Sequence, residues 1–106
     1  MAYQIIWSAF AEEQIEAIFE YYRRASGSYE VAKRIITNLL SAPDRLISHP
    51  RMGAREPLLQ QRPIEYRFII ASNYKIIYSL DDEKQLIKIA DVFDTRLDPQ
   101  KIHRTR

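Results

Sequence analysis

Hydrophobic and polar positions along this chain fall into two rhythms, one in the first half and another after residue 63. Tyr3-Gln4-Ile5-Ile6-Trp7 reads as a short opening strand, and Ser8 behind it has the side chain of a helix N-cap. Ala11, Ile15, Ile18, Phe19 and Tyr22 then recur at helical spacing, while Glu12, Glu13, Glu16 and Glu20 take the other side. The early acids suit a helix N-terminus. Gly27 in Ser26-Gly27-Ser28 is placed to close this helix, and Ser28 to cap the next. Ala32, Ile35, Ile36, Leu39 and Leu40 mark a second amphipathic helix; Pro43 either kinks it or opens a separate turn reaching Leu46. His49-Pro50-Arg51-Met52-Gly53 is a loop, and the stretch to Pro63 has no regular period.

The second rhythm alternates, as strands do. Ile64–Ile70, Tyr74–Tyr78 and Leu86–Ala90 form three such runs. A two-residue loop, Ser72-Asn73, would put Arg67 and Ile69 on the face of Tyr74, Ile76 and Tyr78. A three-residue loop from Ala71 to Asn73 instead aligns Tyr66, Phe68 and Ile70 with them, with Asn73 left-handed. The second register makes the cleaner apolar face and is the expected one. Arg67, Ile69, Lys75 and Ile77 then share the opposite face. The Asp81–Lys84 turn sets Ile87 opposite Tyr78 and Ile89 opposite Ile76, so Lys88 and Ala90 join that opposite face. The fold class is therefore α+β, in the order β-α-α-β-β-β, one domain spanning 1–106. Its helical hairpin covers one face of a twisted antiparallel sheet. The other face is expected to be bare and functional.

Composition removes most other chemistry. The chain has 106 residues, 46% hydrophobic and 28% charged, enough for one domain that buries roughly two-thirds of its unfolded surface. With no cysteine there is no thiolate metal site or disulfide. Gly27 and Gly53 are the only glycines, so a phosphate-cradling loop or dinucleotide fingerprint cannot be built. His49 and His103 lie far apart without ligand spacing, so neither a metal nor any other cofactor is expected. No run approaches the ~18 apolar residues of a membrane span, and the start lacks the plan of a signal peptide. A cytoplasmic protein is the default. The glutamates of the first helix read as a solvated face, and Tyr66, Tyr74 and Tyr78 as core.

Net charge is only +2, yet Arg96, Lys101, Arg104 and Arg106 crowd the tail against Asp98 alone. An anionic partner and a merely solubilising tail both fit that polarity. Arg67 and Lys75 have no acid directly across the expected ladder. That suits phosphate or carboxylate recognition, with a plain solvated face as the equal alternative.

The order of these pieces resembles the RelE/ParE superfamily of toxins from type II toxin–antitoxin modules. The likeness is carried by Ile5-Ile6-Trp7-Ser8, the run Ala11…Ile15…Ile18…Tyr22, and Leu46…His49-Pro50-Arg51-Met52-Gly53. It continues through Tyr66-Arg67, Tyr74-Lys75-Ile76-Ile77-Tyr78, and Ile89…Val92-Phe93-Asp94-Thr95-Arg96-Leu97-Asp98-Pro99. The resemblance implies growth arrest, relieved by a cognate antitoxin. Two mechanisms belong to it: poisoning of DNA gyrase in ParE-like members, and cutting of mRNA on the ribosome in RelE-like members. In a metal-independent endoribonuclease of the second kind, Arg67, Lys75 and Arg96 would clamp a phosphate, with Asp94 or Tyr74 carrying a proton. Ile69 stands where such an enzyme has a basic residue, and Asp94 where many relatives carry histidine. The Pro50-Arg51-Met52-Gly53 loop and the short hairpin loop resemble ParE more, and the resemblance leans that way, with Arg51, Arg67, Lys75, Lys88 and Arg96 as a binding surface. A module that only binds its partner, and a homodimer of the free chain, stay open.

Overall fold

The computed structural model describes residues 2–106. Strand β1 (Gln4–Trp7) leads to helices α1 (Ala9–Ser26) and α2 (Tyr29–Ser41), then come β2 (Ala54–Arg55), β3 (Arg67–Ala71), β4 (Tyr74–Asp81) and β5 (Leu86–Asp94). Three 3-10 turns, Ala42–Leu46, Pro57–Leu59 and Pro99–Arg104, complete the chain. The architecture is the expected α+β one, a helical hairpin against one sheet face.

Helix ends follow the local chemistry that the sequence announces. Ser8 accepts the Ala11 N–H at 3.0 Å, and Ser28 accepts that of Val31 at 3.3 Å. Gly27 closes α1 at φ 67°, where a side chain would be strained, and its N–H reaches the Arg23 carbonyl. Pro43 opens the separate turn reaching Leu46.

The sheet runs β1-β5-β4-β3-β2, and it is mixed: β1 pairs parallel to β5, the other pairs antiparallel. The expected β3–β4 register is overturned. Arg67 pairs with Tyr78, Ile69 with Ile76 and Ala71 with Tyr74, so the hairpin turns through Ser72-Asn73 alone. Ser72, not Asn73, takes the left-handed conformation at φ 56°. Arg67, Ile69, Ile76 and Tyr78 therefore share the helix-covered face, whereas Phe68, Ile70, Lys75 and Ile77 share the other. The β4–β5 pairing also sits two residues from expectation, with Ile89 opposite Tyr78 and Ile87 opposite Leu80. A slip of two keeps the same faces. A bulge at Ala90 then switches parity, so Val92 joins Ile87 and Ile89 on the helix side.

The bare face is overturned as well. The core between helices and sheet joins Ala11 of α1 and Leu46 to Ile69, Ile76, Tyr78, Ile87 and Ile89, continued by Ile15 of α1, Leu39 of α2, Tyr74 and Val92. On the opposite face Ile77, Ala90 and Phe93 form a second core with Tyr66, Leu59 and Ile102. Leu59 and Ile102 come from the turns Pro57–Leu59 and Pro99–Arg104. Ile77 is completely buried. A central strand buried on both sides has no single clean face, so a clean apolar face does not fix the loop length here.

Candidate functional site

Each cation expected to form the binding surface is committed to a partner within the chain. Arg67 points to the helix side and holds the loop before β2. Its Nη1 donates to the carbonyls of Gly53 at 2.8 Å and Arg51 at 3.3 Å, and its Nη2 to Glu65 at 3.4 Å. Tyr78 works beside it, donating to the Pro50 carbonyl at 2.7 Å and accepting the Gly53 N–H at 3.1 Å. Gly53 is required here, because a Cβ would lie 2.6 Å from both the Phe68 carbonyl and the Tyr78 hydroxyl.

Lys75 emerges on the other face, donating to Glu56 at 2.8 Å, with its ammonium 4.3 Å from the centre of the Phe68 ring. Glu56 is buried, and its Oε1 has no hydrogen-bond partner among the described residues. Lys88 stands 3.9 Å from Asp81. Arg51 pairs with Asp82, which also accepts the Tyr3 hydroxyl at 2.6 Å. Arg51 first, then the Tyr3 hydroxyl, holds the Asp82 carboxyl below the usual aspartate range. Thus Arg67 and Lys75 lie on opposite sides of the sheet, and no common cationic face joins them.

One group of expected residues does meet. Tyr74, Asp94 and Arg96 line an open pocket of about 350 Å³ between α1 and the segment after β5. Asp94 grips Arg96 along one guanidinium edge, accepting from Nε at 3.0 Å and Nη2 at 2.9 Å. Hydrogen bonding from Arg96 keeps Asp94 ionised, its pKa lowered. The same contact, with Tyr22 second, pushes the arginine further up. Burial, then the hydroxyl contact with Tyr22 at 3.3 Å, raises Tyr74 well above an ordinary phenol.

Arg104 closes this pocket, a residue the sequence left in a free basic tail. Its Nε and Nη2 bind the fully buried Asp91 at 3.2 and 3.1 Å, and Nη2 reaches the Val92 carbonyl at 3.3 Å. Thr105 donates to Asp91 at 2.8 Å, while Arg62 holds the carbonyls of His103 and Thr105. Arg106 lies 4.9 Å from the centre of the Phe10 ring. The tail is docked, not loose. An acid between two apolar strand residues, Ala90-Asp91-Val92, was the available signal that some cation must return to it. Among the described residues no group of three or more His, Cys, Asp or Glu could hold a metal.

Solved structures that share this architecture include two toxin–antitoxin systems. One is described as a chromosomal ParDE toxin–antitoxin system from P. aeruginosa. It is 18% identical, with a TM-score of 0.70, covering 89% of this chain and 96% of that one. The other, a RelBE2 toxin–antitoxin complex from Mycobacterium tuberculosis, is 18% identical with a TM-score of 0.63, covering 89% and 99%. The helical hairpin on a five-stranded sheet is therefore a fold that also occurs in these two toxin–antitoxin systems. Residues 5–99 match the family described as the ParE toxin of the type II toxin–antitoxin system parDE, and this chain belongs to that family. No curated protein sequence matches it.

Proposed function

We propose that this chain arrests growth by binding rather than by cutting, with DNA gyrase as its target and a cognate antitoxin as its antidote. What supports this reading is the commitment of its cations. Cleavage needs preorganised donors around one phosphate and a group able to take a proton near neutral pH. Arg67 and Lys75 face away from each other, and Arg96 is gripped by Asp94. Asp94, with its lowered pKa, is a poor base. Tyr74, raised by burial, rarely ionises. Neither of the two proton carriers considered for the ribonuclease reading is tuned for that task.

The test is a supercoiling assay with purified gyrase, run beside a cell-free translation reaction. Inhibition at modest toxin excess, with mRNA left intact, is the expected pair of results. Codon-positioned cuts in mRNA without gyrase inhibition would replace the reading by the ribosome-dependent one. Induction in a bacterial host without loss of growth would leave only a partner-binding module.

A further inference from the structure

The pocket between α1 and the segment after β5 is lined by two arginines, Arg96 and Arg104. The two are held in the same way. Arg96 and Arg104 each present Nε and Nη2 to an aspartate, Arg104 also reaching the Val92 carbonyl. The aspartates lie behind them: Asp91 is fully buried and the Asp94 side chain is 24% exposed, whereas that of Arg96 is 54% exposed. Both guanidinium groups line the pocket, held in orientation by their aspartates before any ligand arrives. Ile18, Val92 and Leu97 line the pocket, Tyr21 stands exposed at its side, and Gln14 adds one amide.

We infer that this pocket is a binding site for a small organic anion with a planar body, of the nucleoside monophosphate class. The phosphate oxygens sit against the two guanidinium groups that line the pocket, where charge-assisted hydrogen bonds are strong. The base lies against the Tyr21 ring, as bases stack on exposed aromatics, with Gln14 able to bond its edge. A volume of about 350 Å³ lies at the small end of ligand pockets and well above what a bare phosphate fills. The inference stands whichever target the toxin has.

The test is an NMR titration of the full chain with AMP, UMP, inorganic phosphate and benzoate, following backbone amides. Saturable shifts at Gln14, Tyr21 and Leu97 are expected, with a mononucleotide binding about tenfold more tightly than phosphate. Arg96→Gln, whose side chain is half in water, should keep the fold by circular dichroism and weaken the nucleotide about tenfold or more. Lys84→Gln, at the remote β4–β5 turn, should change nothing. A 5′-phosphorylated dinucleotide binding more tightly than a mononucleotide would mean that the same head chemistry comes from a strand end. No shifts at these amides, or shifts that survive Arg96→Gln, overturn the site. Phosphate binding as tightly as nucleotide overturns the planar body, and benzoate matching the nucleotide overturns the phosphate head. A chain that fails against gyrase yet binds AMP here would fault the proposed target alone.

Discussion

The two faces of the sheet are closed by different means. On the helix side, two amphipathic helices lay apolar side chains over Ile69, Ile76, Tyr78, Ile87 and Ile89. Each fully buried aliphatic side chain there contributes about 1.5–3 kcal/mol by leaving water, with little demand on geometry. On the other side, two short 3-10 turns offer Leu59 and Ile102, and cations fasten what apolar area cannot. Arg104 returns to Asp91, Lys75 to Glu56, and Arg62 to the tail carbonyls. The lesson is that a cation alternating with isoleucines on a strand can be a fastener of a second core. Binding surfaces are one use of such charge; closing a thinly covered face is another.

The sharpest way to break this contrast is to strand a buried acid. Arg104→Ala leaves Asp91 without its bidentate partner and should cost about 3–5 kcal/mol in urea unfolding. That is a large part of the stability of a small domain. The double change Arg104→Met with Asp91→Leu should recover most of it. Full stability in Arg104→Ala alone would mean that the second core stands without its fasteners.

Lys75→Met removes the ammonium that the buried Glu56 carboxylate accepts from, a smaller loss of about 2 kcal/mol, because water already reaches the ammonium. Gly53→Ala tests the helix side. Its Cβ must displace Tyr78 or the β3 backbone, costing about 1–3 kcal/mol. An unchanged urea midpoint would show that the loop yields freely.

The acid response of Asp94 should be smaller still. Its folded pKa is lowered by Arg96, so the clamp stabilises fully above the unfolded aspartate value of about 4 and is lost as pH falls through the lower folded one. A carboxyl-carbon NMR titration that places Asp94 at or above 4 would remove the clamp from the account. The smallest effect is expected from Arg51→Ala. Arg51 and Asp82 are both half exposed, and the urea midpoint should scarcely move.

Local chemistry was readable wherever a residue answers only to its neighbours in the chain. Ser8, Gly27, Ser28 and Pro43 specify helix ends through hydrogen bonds and backbone angles spanning a few residues. The apolar stripe of α1 and the order of elements follow from spacing in the same way. The pocket was half legible: Tyr74, Asp94 and Arg96 were singled out, yet Arg104, Tyr21 and Gln14 come to them from distant elements. The pairs Ile69-Ile70 and Ile76-Ile77 interrupt strict alternation and were the one trace of a second covered face.

What the sequence determined by itself, then, is the helical hairpin with its caps, the four longer strands and the family-like order of the pieces; β2 and the turns Pro57–Leu59 and Pro99–Arg104 were not legible in it. The hairpin register, the side of the sheet on which each cation stands and the partner it holds were decided only by the fold. The physical reason is that a strand's register depends on which faces become buried. That depended here on two short turns, more than twenty residues apart in one direction from the hairpin and nearer in the other, whose apolar residues carry no period of their own.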